Sequence, residues 1–227
     1  MEKTFKDNER GVLFDFNGTL LFDTPLHFEA WKIISEEIRG NPFTKDEFLQ
    51  KVNGMPNTRI LKYINPNITE EEIKTYEKKK EDLYKKLLIE STLQLADGAI
   101  ELFEYLKKHN IKYTIATSSD IENINLFIKK FELSKWFDID KIVYFDYTFK
   151  GKPCPDIYLI AAKKIGVDIK NCIVFEDTKN GIMSGEAAGA YKVIGITSSN
   201  SKEKMLEMKG CVAAIENYKN FDYSLLN

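Results

Sequence analysis

Val12-Leu13-Phe14-Asp15-Phe16-Asn17-Gly18-Thr19-Leu20 is the stretch that decides the fold. It opens on an unbroken apolar run too short for a helix, meets a carboxylate, and reaches a glycine that permits a tight turn. Such a run suits a strand covered on both faces, as in a parallel sheet. The same signature returns at Tyr113–Ala116, Lys141–Phe145, Cys172–Phe175 and Lys192–Ile196. Between these runs, helical patterns fill Ala99–Lys108, Glu122–Lys130, Asp156–Ile165 and Gly181–Ala188, several closed by Gly or Asn. Alternating strands and helices predict an α/β fold, a doubly wound parallel sheet with helices on both faces.

Residues from about 25 to 90 break this alternation with helix after helix. The segment His27–Ile38 places Trp31, Ile34 and Ile38 on one face, and both Thr44-x-x-Glu47 and Thr69-x-x-Glu72 read as capping boxes. Ile73, Tyr76, Leu83 and Leu87 continue an apolar stripe along a lysine-rich helix, and the charge run Glu77–Lys86 reads as its solvated face. The expected organisation is a core domain of residues 1–22 and 92–227 with an inserted helical cap domain of residues 23–91.

The chain's 227 residues, 43% of them hydrophobic, suffice to bury a full core. Its 33 basic and 35 acidic residues nearly balance, so nothing draws it to nucleic acid or an anionic membrane, and a small ligand is the expected partner of a monomeric chain. Cys154, Cys172 and Cys211 show no metal-ligand spacing and suit a reducing compartment. The charged segment Met1–Arg10 lacks the apolar run of a signal peptide, which sets the expectation of a cytoplasmic protein.

Parallel sheets bind ligands at the carboxyl ends of their strands. Asp15, Thr117, Lys152 and the pair Glu176-Asp177 all follow predicted strands. A carboxylate can attack phosphorus, but its charge and that of a phosphate repel, so a cation is needed between them. Carboxylates from separate strand ends form a hard oxygen site suited to Mg²⁺. Lys152 would neutralise a further phosphate oxygen, and the Thr117 hydroxyl would bind another. Taken singly, each residue is more often a cap, turn or loop residue; their order at four predicted strand ends is what points to phosphoryl transfer.

That order resembles the haloacid dehalogenase-like superfamily over almost the whole chain. Asp15-x-Asn17-Gly18-Thr19 is similar to its first motif and Thr117 to its second. Lys152-Pro153-x-Pro155-Asp156 is similar to the third, and Glu176-Asp177 with Gly181 and Ala188-Gly189 to the fourth. The insertion, with His27-Phe28-x-Ala30-Trp31 and Val52-x-Gly54, resembles the subgroup that contains β-phosphoglucomutase and sugar-phosphate phosphatases. The resemblance implies an aspartyl-phosphate on Asp15, catalytic roles for Asn17, Thr117 and Lys152, and Mg²⁺ held by Asp15, Glu176, Asp177 and the backbone carbonyl of Asn17. It further implies substrate contacts from Gly18, Thr19, His27, Trp31, Gly54, Asn57, Lys80 and Ser118, and a small phosphorylated metabolite such as a sugar phosphate as substrate.

The sequence departs from the family pattern at Asn17, where an aspartate normally serves as general acid and base. Asn17 hydrogen-bonds but does not exchange a proton near neutral pH, a loss typically of about 10²–10⁴ in rate. Three routes around it are open: a leaving group that needs no acid, a substitute proton carrier such as His27 or Asp23, or deamidation at Asn17-Gly18. Asn57 stands where the mutase has a phosphate-binding arginine, which favours a phosphatase over a phosphotransferase. A dehalogenase would not need the Glu176-Asp177 metal pair, and a binding protein that has lost catalysis is a further alternative.

Overall fold

The structure is a computed structural model that describes residues 9–226. Its sheet has five strands: β1 (Gly11–Phe14), β2 (Lys112–Ile115), β3 (Cys172–Glu176), β4 (Lys192–Ile196) and β5 (Cys211–Ile215). They lie in the order β2-β1-β3-β4-β5 and every pairing is parallel. The helices are α1 (Thr24–Arg39), α2 (Lys45–Glu47), α3 (Asn57–Ile64), α4 (Glu70–Glu90), α5 (Ala99–Lys108), α6 (Ile121–Lys130), α7 (Asp156–Ile165), α8 (Lys179–Ala188) and α9 (Lys202–Leu206). The chain divides into two compact units, Met1–Phe22 with Gln94–Asn227 and Asp23–Leu93. The second junction lies beyond the 91/92 position read from the sequence, because Ser91 still caps α4, its N–H donating to Leu87 O at 3.0 Å.

In the first unit, alternation along β1 sends successive side chains to opposite faces. Leu13 joins Val174, Ile157, Ala161 and Ile182 in a cluster that seats α7 and α8. Phe14 stacks on Phe175 at 5.2 Å and meets Phe103 of α5 edge-on at 5.7 Å. With both faces covered, the uninterrupted apolar strands have nowhere to expose a side chain, and burying each phenylalanine contributes roughly 1.5–3 kcal/mol.

Lys141–Phe145 is not a strand. Ile139–Lys141 forms a 3₁₀ turn, and Val143 alone bridges Ala116, flanked by backbone bonds of 2.9 Å from Val143 N to Ile115 O and from Thr117 N to Val143 O. Just beyond, Asp146 Oδ1 accepts from Thr148 N at 2.9 Å and Tyr147 takes φ 66°, a turn that stops the extended run. β5, in contrast, was not expected: Cys211-Val212-Ala213-Ala214-Ile215 is short, small-residued and on the sheet edge, with Val212 58% exposed.

The second unit folds around its own core, in which Trp31, Ile34, Phe43, Phe48, Val52, Leu61 and Ile73 cluster. Thr69 and Glu72 form the full capping box at the start of α4. At α2 only half of the expected box forms: Thr44 Oγ1 accepts from Glu47 N at 3.1 Å, but the Glu47 carboxylate turns instead to the Arg39 guanidinium, two bonds of 2.8 Å. The two-pronged guanidinium outcompetes a lone N–H. The run Glu77–Lys86 is not wholly solvated either, since Lys80 and Tyr84 are buried.

Candidate active site

Both halves of the central ladder deliver carboxylates. Asp15 follows β1, its N–H donating to Phe175 O at 3.0 Å, which sets it level with the end of β3. Glu176 is the last residue of β3 and Asp177 comes next. Oxygen atoms of Asp15, Glu176 and Asp177 lie within 4.8 Å of one another, and all three residues are buried.

Lys152 enters from the long loop before α7. That loop is tied down by Ser184 Oγ, which donates to Cys154 O at 2.6 Å. Lys152 Nζ donates to Asp15 Oδ1 at 2.6 Å and to Glu176 Oε1 at 2.5 Å, and lies 5.2 Å from the Tyr158 ring centre. Burial works against its charge, but Asp15 and Glu176 outweigh burial and hold Lys152 above the ordinary lysine value. Burial pushes the Asp15 carboxyl up to about 7; Lys152 opposes the rise and the Glu176 charge adds to it.

Glu176 is held from every side. Besides Lys152, its Oε1 accepts from Tyr158 Oη at 2.8 Å, and its Oε2 accepts from the N–H groups of Asp177 and Thr178 at 3.0 and 3.1 Å and from Thr178 Oγ1 at 3.1 Å. Two glycines make room for these acids. At Gly18, with φ +76°, a β-carbon would overlap the Asp177 carboxylate; at Gly181, it would overlap that of Glu176. Three buried carboxylates against one lysine leave the cluster short of positive charge. Hard oxygen donors with such a deficit fit a divalent cation such as Mg²⁺.

Thr117 is buried beyond β2, with its Oγ1 accepting from Ser119 N at 3.1 Å. Thus Asp15, Thr117, Glu176 and Asp177 sit at neighbouring strand ends, and Lys152 reaches Asp15 and Glu176 from the loop before α7. Asn17 joins them through a residue the sequence reading passed over: Ser119 Oγ donates to Asn17 Oδ1 at 2.7 Å. Ser118, the expected substrate contact, is exposed beside it. Thr19 is wholly buried, its N–H donating to Phe16 O at 3.2 Å, and serves the turn. Tyr158 was also missed, since on α7 it is indistinguishable from an apolar core position.

The remaining expected contacts lie in the second unit, where several of them meet. His27 stacks on Tyr84 with ring centres 4.1 Å apart. Lys80 Nζ is 3.0 Å from His27 Nδ1, 2.8 Å from Glu81 Oε1 and 5.8 Å from the Trp31 ring centre. Asn57 Nδ2 donates to the same Glu81 oxygen at 2.9 Å. Tyr84 donates a short hydrogen bond to the buried Asp23. Gly54 is exposed in a turn with φ 77°.

With this geometry in hand, comparison with known proteins defines the class. Residues 9–189 match the haloacid dehalogenase-like hydrolases, and the chain belongs to that family of enzymes. It is similar to a phosphorylated carbohydrates phosphatase of Thermotoga maritima, 30% identical over 205 residues that cover 90% of this chain and 93% of the relative. A β-phosphoglucomutase of Bacillus subtilis is 30% identical over 191 residues, 81% of this chain and 82% of that one. Among solved structures, a family IA, variant 3 hydrolase from Entamoeba histolytica superposes with a TM-score of 0.91 at 51% identity, covering 96% of this chain and 97% of that chain. Among the described residues, no helix is long and apolar enough to cross a membrane.

Proposed function

We propose that this chain is a Mg²⁺-dependent phosphatase of a small phosphorylated metabolite, working through a phosphoryl group carried on Asp15. The observation that carries the reading is the buried trio Asp15, Glu176 and Asp177 with Lys152 bridging two of its members. Bound Mg²⁺ would supply Lewis-acid neutralisation of the phosphate charge, held by these three carboxylates and the Asn17 carbonyl. An Asp15 oxygen bonds to phosphorus while the bond from phosphorus to the substrate oxygen breaks, its electron pair leaving with that oxygen. Lys152, already charged and aimed at Asp15, screens the approach of the dianion. The Thr117 hydroxyl accepts from Ser119 N, which leaves its proton to donate to a phosphate oxygen. Water then takes the phosphoryl group from Asp15.

The relatives acting on phosphorylated carbohydrates support a sugar phosphate as the first class to test, with His27, Trp31, Asn57, Lys80, Gly54 and Ser118 proposed as its contacts. A second reading, a β-phosphoglucomutase-like phosphotransferase, is supported by the relative of that name, 30% identical over 191 residues. Phosphate release from a panel of sugar phosphates, with and without chelator, run beside conversion of glucose 1-phosphate to glucose 6-phosphate, separates the two. Asp15→Asn should abolish both. Turnover that survives Asp15→Asn would refute the nucleophile.

A further inference from the structure

By the family resemblance, Asn17 stands where an aspartate would pass a proton to the departing oxygen, and an amide has none to give near neutral pH. The structure shows how firmly that amide is set. Its Oδ1 accepts from Ser119 Oγ at 2.7 Å. Ser119 is pinned in turn: its N–H donates to Thr117 Oγ1 at 3.1 Å, and its carbonyl accepts from Phe145 N–H at 3.0 Å. With the oxygen so engaged, Asn17 Nδ2 is defined as a donor, able to hydrogen-bond to an oxygen but not to protonate it.

The other candidate proton carriers are already engaged, Asp23 Oδ2 accepting from Tyr84 Oη and lying beside His27 within the second unit. Both nitrogens of His27 have partners within their own unit, Nδ1 at 3.0 Å from Lys80 Nζ and Nε2 at 3.4 Å from Asp23 Oδ2. Lys152 is bound by two carboxylates. Deamidation would need the Gly18 nitrogen to attack the Asn17 side chain, yet Gly18 N–H donates to Leu21 O at 2.6 Å. Gly18 is moreover required where it is by the Asp177 carboxylate, so Asn-Gly here is a steric necessity and not a deamidation signal.

We propose that the enzyme selects phosphorylated compounds by leaving group, taking those that depart as stable anions, acyl phosphates above all, and turning over alcohol phosphates slowly. The proposal rests on the phosphatase reading and narrows its substrate class. In the first step an Asp15 oxygen bonds to phosphorus while the bond from phosphorus to the acyl oxygen breaks, its electron pair leaving with the carboxylate. One mixed anhydride replaces another and no proton moves. In the second, a water oxygen bonds to phosphorus, the bond to Asp15 breaks with its pair returning to the carboxylate, and dihydrogen phosphate carries the water protons away. Carboxylic acids ionise at about 4, whereas an alcohol's conjugate base is nearly as basic as hydroxide, with water itself at about 16. Only the alcohol needs the acid that Asn17 lacks. The second step, with whatever base it wants, is common to both substrates, so the selection lies in the first step, which kcat/KM reads.

The test measures phosphate release with Mg²⁺ from acetyl phosphate and from glucose 6-phosphate by the natural chain and by Asn17→Asp. Comparing two proteins on each substrate cancels the intrinsic reactivity of acetyl phosphate. Asn17→Asp should raise kcat/KM for glucose 6-phosphate by about 10²–10⁴ relative to its effect on kcat/KM for acetyl phosphate. A parallel gain on both substrates, or no gain on glucose 6-phosphate by a folded variant, overturns the proposal while leaving a phosphatase. Release of phosphate from neither substrate by either protein would instead refute the phosphatase reading on which it stands.

Discussion

Replacing Lys152 with methionine tests the electrostatic frame of the site directly. The side chain keeps most of its length, so the change removes a charge more than a volume. In the native chain Lys152 Nζ sits 2.6 Å from Asp15 and 2.5 Å from Glu176, with all three side chains less than 10% exposed. Removing one partner of a buried ion pair costs about 3–5 kcal/mol, because the remaining charge is stranded. For a chain of this size that lowers Tm by roughly 6–20 °C, at about 2–4 °C per kcal/mol. Here pH supplies a second axis. Burial raises the Asp15 carboxyl to about 7 against an ordinary 3.8, so between those values the folded chain holds a proton that the unfolded chain has released. Stability in the metal-free protein therefore falls as pH rises through this window. Without Lys152, which opposes that rise, the fall must extend to higher pH. Urea denaturation of metal-free protein at pH 5 and pH 8 should show the variant less stable at both, with the larger deficit at pH 8. A deficit that is absent, or independent of pH, would refute the account.

Gly181→Ala, which should gain up to about 1 kcal/mol of helix propensity in α8, is expected to lose stability and weaken Mg²⁺ binding because its β-carbon overlaps Glu176; calorimetric titration of the metal checks it. Tyr84→Phe removes the hydroxyl that donates to buried Asp23 and should cost about 1–3 kcal/mol in a denaturant midpoint. Thr69→Ala breaks the capping box of α4 and should cost about 1 kcal/mol.

The sheet was legible because parallel strands buried on both faces leave unbroken apolar runs, as at Val12–Phe14 and Cys172–Phe175. Lys141–Phe145 carries the same composition, yet a turn at Asp146–Thr148 overrides it, and β5 was lost because an exposed edge strand need not be hydrophobic. Of the site, the acids could be read from their positions after strands, whereas Lys152 was read after Lys141–Phe145, which is no strand, and reaches the acids from a loop. Ser119 could not: one of two adjacent serines, it is distinguished only by the backbone bonds that aim its hydroxyl at Asn17. Lys80 was named through the family resemblance alone, for a related reason. A lysine among lysines reads as surface until folding brings Glu81, His27 and Trp31 around it.

The place of β1 in the sheet has one more consequence. It is paired on both sides, to β2 and to β3, along its whole length, so Asp15 stands on backbone that cannot open by fraying. The amides of β1 should exchange with solvent only when the whole unit unfolds. Surface substitutions that erode stability would then leave the nucleophile in place in every folded molecule, lowering the number of working enzymes before the quality of any one of them.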